Sequence, residues 1–373
     1  MKQFLITVIM LIAIIFSFAG CNSNSKETQK DISGDGKGNK ITGSAIDDGI
    51  KNGTSEEKAQ APTHKAEDFV LKNGTIKTDV CDSKAISQNL IKEETKHNLF
   101  IYLPPTYNES DKKYPVIYFL HGFGDSPSDF ISNSQSELDQ AFSKDPSKEF
   151  ILVAVDGRNS SGGSFYVNSP VTGKWDDYTS KEVVSYIDSS YRTIASANSR
   201  GICGFSMGGF GALNLAFLHP DIYGAVFSMS PGVLAPGKIG DALDSWEYDS
   251  GFLKSYSQAF AYNTKSPYDT TPTRDGSNKD NKLLKRWESG FGNWKEKVEA
   301  YMKLRTPLKA IGLIYGTSDS YKWIPEGTEY LSGLLDEKGI KHTLTSIQGG
   351  HNIPYEAMTT YIIPFFQDSI EWE

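Results

Sequence analysis

Short, continuous apolar runs recur along the chain from about residue 98. They are Asn98–Leu103 (NLFIYL), Tyr114–Leu120 (YPVIYFL), Phe150–Val155 (FILVAV), Gly201–Phe205, Ala225–Met229 and Ile311–Tyr315. None alternates apolar with polar residues, so each reads as a strand buried on both faces of a mostly parallel sheet. Helical periodicity separates them. Val183, Ile187 and Tyr191 recur at i, i+4 and i+8 within 178–191. Tyr330, Leu331, Leu334 and Leu335 form a stripe that ends before Gly339, a suitable C-cap. Strand alternating with helix predicts an α/β fold with a doubly wound, mostly parallel sheet. The stretch between about 231 and 311 breaks that rhythm. It carries aromatic residues at helical spacing (Trp246, Tyr248, Phe252, Tyr256 and Phe260, then Trp287, Phe291, Trp294 and Tyr301), divided by a polar loop at about 263–281. It reads as a helical lid inserted at about 235–305. Ordinary core packing explains most of these aromatics equally well.

The first 65 residues follow other patterns. After Met1 and Lys2, Phe4 to Phe18 is almost wholly apolar, too short to span a bilayer comfortably, and small residues follow it, as in a signal peptide. Phe18-Ala19-Gly20-Cys21 looks like a bacterial lipobox. Cleavage before Cys21 and lipidation of its sulfur would hold the mature chain on the extracytoplasmic face of the cell membrane; an ordinary signal peptide with a chance cysteine is the plainer alternative. Residues 22–65 are rich in Ser, Asn, Gly, Lys, Asp and Glu, with little apolar surface to offset ordering entropy, so a flexible tether is expected. Its root-mean-square reach would be roughly 35–40 Å. Residues 66–373 are left for the folded domain.

Composition narrows the picture further. A chain of 373 residues with 38% hydrophobic and 23% charged residues has room for one large α/β domain plus extras. Its formal net charge of −8 offers no basic surface for nucleic acid. Besides Cys21 only Cys81 and Cys203 occur, which is no disulfide framework. Cys203, inside an apolar run, is expected to be an inert buried thiol not paired with Cys81. No Cys/His cluster has zinc-ligand spacing, and the chemistry below calls for no metal or organic cofactor.

Gly204-Phe205-Ser206-Met207-Gly208 matches G-x-S-x-G. An apolar run leads in and an apolar helical run, Phe210 to Leu218, leads out toward His219-Pro220. That context is a strand–turn–helix in which a strained serine presents its Oγ and flanking glycines relieve crowding. Acyl transfer also needs donors for a developing oxyanion. Met207 N–H, at the start of the following helix, is one candidate. The loop His121-Gly122-Phe123-Gly124, after the run ending at Leu120, offers Phe123 N–H as the second, with His121 expected to be structural. In the chain order serine, acid, histidine, two late histidines qualify. His342 lies in the alternating stretch His342-Thr343-Leu344-Thr345, where a strand position accounts for it. His351 follows Gln348-Gly349-Gly350 in a loop just past that strand, where a general base belongs. Asp319 emerges where Ile311–Tyr315 gives way to Gly316-Thr317-Ser318-Asp319, the strand end at which open α/β sheets bind ligands. A turn aspartate capping the next helix is its bland explanation, and Asp336, within a helical pattern, is the poorer candidate for the acid.

On Leu120-His121-Gly122, Gly204-Phe205-Ser206-Met207-Gly208-Gly209, Gly316-Thr317-Ser318-Asp319 and Gln348-Gly349-Gly350-His351, together with Trp175-Asp176-Asp177-Tyr178 and Tyr186-Ile187-Asp188, the chain resembles the esterase D-like (putative esterase) family of α/β-hydrolases. That family includes feruloyl and acetyl-xylan esterases of carbohydrate esterase family 1, S-formylglutathione hydrolases and mycolyltransferases. The resemblance runs from about residue 75 to the end and departs at about 235–305. It implies a serine esterase in which Ser206 attacks, His351 moves the proton and Asp319 orients it. Its substrate would be a carboxylic ester, with feruloyl or acetyl groups on plant polysaccharide as the expected partner. Two other functions stay open: an acyltransferase using the same three residues, and a surface-binding lipoprotein that keeps the fold without the chemistry.

Overall fold

The computed structural model describes residues 70–372. The expected signal peptide, the Cys21 lipidation site and the whole of the tether lie outside them. Eight strands form one sheet: β1 (Thr75–Asp82), β2 (Lys96–Leu103), β3 (Val116–Leu120), β4 (Ile151–Val155), β5 (Arg200–Phe205), β6 (Ala225–Met229), β7 (Ala310–Gly316) and β8 (Thr343–Ile347). Their order is β1-β2-β4-β3-β5-β6-β7-β8. β1 and β2 pair antiparallel, as do β2 and β4, and all later pairings are parallel. The central strands β3 to β6 are buried throughout, as their unbroken apolar runs require. Val116, Tyr118 and Leu120 of β3 enter the core on one face of the sheet, and Ile117 and Phe119 enter the core on the other.

The helices are α1 (Pro127–Lys144), α2, α3 (Met207–Leu218), α4 (Ile239–Ser245), α5 (Ser250–Phe260), α6 (Asn278–Phe291), α7 (Trp294–Tyr301), α8 (Trp323–Glu337) and α9 (Ile363–Ser369). In α2, a turn at Trp175–Asp177 runs through a π-helical segment, Tyr178–Val183, into Val184–Ser190. Side α1 of the sheet is shared with α9; α3 lies against β5 and β6 on the other side. The π turn leaves Val183 and Ile187 buried, and Tyr191 lies just past the end of α2.

The expected strands form with small shifts. The run Tyr114–Leu120 becomes a strand only from Val116, because Pro115 has no N–H to give the ladder. Tyr114 makes a single bridge to Thr193 instead. β1 is an edge strand whose sequence, TIKTDVCD, is mostly polar and has no apolar run longer than Val80-Cys81. α1 is likewise a structural addition. Pro127 opens it, Asp129 sits in its first turn and Lys144 in its last, as the helix dipole favours. Cys81 and Cys203 are both free. Burial pushes the Cys203 thiol far up and the Cys81 thiol up to about 11, helped at Cys81 by Glu182 and Asp82, so both are inert thiols near neutrality.

Between β6 and β7, α4 to α7 carry the aromatic residues seen in the sequence. Trp246, Tyr256, Trp287, Phe291, Trp294 and Tyr301 are buried, whereas Tyr248 is 96% exposed. Asp249 caps α5 by accepting from Phe252 N–H, and Ser277 caps α6 by accepting from Asp280 N–H. Tyr256 Oη ties the two helices together, donating to Trp287 O (2.8 Å) and accepting from Phe291 N–H (2.9 Å).

Candidate active site

Ser206 stands between β5 and α3 with φ 54° and ψ −114°, a conformation that costs a non-glycine residue about 1–3 kcal/mol. Main-chain contacts hold it there. Ser206 N–H donates to Met229 O on β6 (2.9 Å), and Ser206 O accepts from Phe210 N–H and Gly232 N–H. The glycines of the elbow are there for clearance. A Cβ on Gly208 would lie 2.0 Å from Leu120 O, one on Gly204 2.2 Å from Gly208 O, and one on Gly209 2.8 Å from Met229 O. The helix therefore meets the ends of β3 and β6 backbone to backbone.

Asp319 and His351 reach the same point from neighbouring strand ends. Beyond β7 and β8 the two loops are laced together: Thr317 N–H donates to Ile347 O and Ser318 N–H to Gly349 O, both at 2.8 Å. His351 Nδ1 lies 2.7 Å from Asp319 Oδ2, and His351 Nε2 lies 2.9 Å from Ser206 Oγ. Asp319 is fully buried, and its other oxygen accepts from Tyr321 N–H (2.8 Å). With a carboxylate on one side, Nδ1 carries the proton and Nε2 is left free to accept from the serine hydroxyl. Phe205 and Tyr321 flank the imidazole at centroid distances of 4.9 and 5.0 Å, the latter edge to face.

The remaining candidates sort by position. Met207 is the first residue of α3, so its N–H is one of the four that an α-helix leaves unpaired at its start. Together with Gly122 and Phe123 it lines the same cavity, of about 230 Å³, as Ser206 and His351. The Phe123 ring packs edge to face on Phe252 of α5 (4.9 Å), which ties the donor loop to the helices between β6 and β7. His121 is structural. Its Nε2 lies 2.9 Å from Gly157 N and must accept that proton, which leaves Nδ1–H to face Gly122 O at 2.7 Å. His342 lies away from Ser206, bonded to Ser332 of α8 (2.6 Å), and the exposed Asp336 faces it at 3.9 Å. The Trp175–Tyr178 and Asp188 motifs are supports. Trp175 and Tyr178 pack on His97, Asp176 pairs with His219 at the end of α3, and Asp188 pairs with Arg200 at the start of β5.

The cavity has walls that the motif search did not reach. Trp246, Phe252 and Phe291 contribute from the helices between β6 and β7, and Tyr321, Trp323 and Ile324 from the segment after Asp319. Tyr321 and Trp323 follow the acid by two and four residues, and that proximity was the one available signal. Asp125, also in the wall, folds back over Gly122: a Cβ there would lie 2.4 Å from its Oδ2.

A mostly parallel sheet with a serine at a strained strand–helix elbow defines an α/β-hydrolase. The family model described as "Putative esterase" matches residues 91–361, and the chain belongs to that family. Two curated Mycobacterium tuberculosis proteins, Esterase Rv1288 and Esterase MT1326, are each 34% identical over 261 residues, or 67% of this chain and 51% of theirs. The chain thus spans about half the length of the curated relatives it matches. Among solved structures, a ferulic acid esterase aligns over 80% of this chain and all of its own, at 21% identity and a TM-score of 0.56. The family 1 ferulic acid esterase of Anaeromyces mucronatus in complex with ferulic acid aligns over 83% and 96%, at 17% identity and 0.51. An S-formylglutathione hydrolase of Agrobacterium tumefaciens aligns over 81% and 98%, at 14% identity and 0.52. At such identities these likenesses speak to the fold. Family and fold thus agree: the chain is a member of the putative esterase family with an α/β-hydrolase fold.

Proposed function

We propose that the protein is an exported, lipid-anchored serine esterase that removes feruloyl or acetyl groups from polysaccharide. The observation that carries the mechanism is the unbroken hydrogen-bonded chain from Ser206 Oγ through His351 to buried Asp319. His351 Nε2 takes the Ser206 proton as Oγ attacks the ester carbonyl, and the N–H groups of Met207 and Phe123 receive the oxyanion. Collapse of the tetrahedral intermediate expels the alcohol, protonated by His351. Water, deprotonated by the same nitrogen, then releases the acid and restores Ser206. Asp319 holds the ring in its tautomer and stabilises the imidazolium.

The aromatic side of the cavity supports an acyl group with a flat or small apolar body, since Trp246, Phe252, Phe291 and Trp323 present ring faces and edges. In this reading α4 to α7 act as a lid. The export and anchoring reading rests on the apolar segment ending at Cys21.

A fluorophosphonate probe tests the chemistry. It should label the wild-type protein and not Ser206→Ala; a labelled variant would overturn the assignment. A panel of feruloyl, acetyl and longer acyl esters, run with and without acceptor alcohols, reads the acyl preference and separates hydrolysis from acyl transfer. Replacing Cys21 with Ala should move the protein from the membrane fraction to the soluble one.

A further inference from the structure

A second cleft, of about 590 Å³, meets the Ser206 cavity at Asp125, Phe205 and His351. It lies between α1 and the segment Asn352–Met358 that follows the histidine, and Ser206 is not in its walls. The stacked pair Phe119 and Phe130, with centroids 3.4 Å apart, forms part of its lining. Its polar groups are Asp125, Asp129, Glu137 and Glu356 together with amides and hydroxyls such as those of Asn133 and Asn352, and among the described residues no lysine or arginine lines it. Glu137 is committed to Thr359, accepting from its N–H and its hydroxyl, both at 2.9 Å. Tyr355 is 88% exposed at this cleft, and Glu356 beside it is held at φ 52°.

The reaction assigns a side to each half of the ester. The departing oxygen must lie within reach of His351 Nε2, which delivers its proton, whereas the carbonyl oxygen must face Met207 and Phe123. The cavity that holds Ser206, both oxyanion donors and the aromatic rings thus takes the acyl half. The cleft that has His351 in its wall but not Ser206 is where the alcohol half can extend. We propose that this cleft is the alcohol-side subsite and that it is built for an uncharged sugar and against anionic alcohols or thiols. Carboxylates and amides suit hydroxyl groups, an uncovered tyrosine ring suits a sugar face, and four carboxylates facing only the transient imidazolium of His351 disfavour an anion. The volume falls in the ordinary range for ligand sites and accommodates a sugar unit. This inference rests on the serine-esterase reading.

Three esters of one aromatic acid test it, with the acyl group carried by a hydroxyl of a methyl glycoside, by the corresponding uronate, or by ethanol. At low ionic strength kcat/KM for the glycoside should exceed that for the uronate about tenfold or more. The gap should close in about 1 M salt, where the Debye length falls to about 3 Å. It should also narrow at low salt in the double variant Asp129→Asn, Glu356→Gln. Tyr355→Ala should lower the glycoside-to-ethyl ratio of kcat/KM about tenfold. All three side chains are exposed, and circular dichroism checks that each variant is folded. Equal rates on glycoside and uronate at low salt would overturn the proposal, as would a gap that survives the double variant. Failure of the esterase reading looks different: even the ethyl ester is not turned over, and the fluorophosphonate label is absent.

Discussion

Two regions meet at Ser206, and they are held in place by different means. On the sheet side the positions of Ser206, Asp319 and His351 are fixed largely by main chain: glycine clearances against Leu120 O and Met229 O, ladder ends, and N–H groups tying one loop to the next. On the other side, between β6 and β7, aromatic rings hold the cavity wall. Trp246 packs on Phe252, Tyr256 and Trp323 at centroid distances of 4.7, 5.1 and 5.4 Å, and Phe291 reaches the same cluster. A main-chain frame positions reacting atoms with little reference to nearby side chains. A side-chain cluster shapes the space around them and changes with every substitution. Bond cleavage and substrate choice should therefore come apart under mutation.

The largest expected effect is in the frame. Ser206→Ala should cost about 10⁴-fold or more in kcat while leaving the melting temperature close to wild type, because alanine keeps the Cβ and with it the backbone strain at this position. Retained turnover would move the nucleophile elsewhere. Asp319→Asn should follow at about 10³- to 10⁴-fold, because the amide can hold His351 in the wrong tautomer, and KM should move little. In the ring cluster, Trp246→Ala should destabilise by about 3–5 kcal/mol in denaturant unfolding. It should also raise KM for aromatic acyl esters more than for acetyl esters. A uniform fall in kcat would erase the distinction between the two regions.

The smallest effect sharpens the comparison. Lys297 Nζ donates to the carbonyls of Ser289, Gly290 and Gly292, on both sides of Phe291, and no carboxylate bonds it among the described residues. Burial pulls its pKa down to about 7, with Glu296 acting weakly in the opposite direction. The folded protein thus holds this proton less tightly than the unfolded chain, whose lysines titrate near about 10.4. Between those values the unfolded state binds more protons, so the contribution of Lys297 to stability rises with pH across that window and is smallest below 7. Lys297→Met should cost about 1–2 kcal/mol at neutral pH. The wild-type advantage should widen on going to pH 9, and a constant difference would show that the ammonium is not strained by burial.

The same division explains what the sequence made legible. The elbow and the acid each sit at the end of an apolar run and the histidine just past an alternating one, and each has glycines within a few residues, so short windows reveal them. β3 to β7 were visible for the same reason, since strands buried on both faces leave unbroken apolar runs. β1 escaped because this edge strand is mostly polar, and α1 because its buried residues are spread among many polar ones. The cavity walls were harder to see. Trp246, Phe291 and Trp323 lie far apart in the chain, and helical spacing cannot separate a ring that fills the core from one that also faces substrate. Most of the aromatics at 235–305 turned out to do the former, and Tyr248 does neither.

The approach of α3 to Leu120 and Met229 also bears on which substitutions such a site can tolerate. Where two pieces of backbone touch directly, the spacing between them is set by atoms that every amino acid shares. Side chains deeper in the core can then be exchanged without moving Ser206 Oγ, provided Gly204, Gly208 and Gly209 stay as they are. The walls around the nucleophile can be rebuilt within that frame, while three positions with no side chain at all keep the two pieces of backbone in contact.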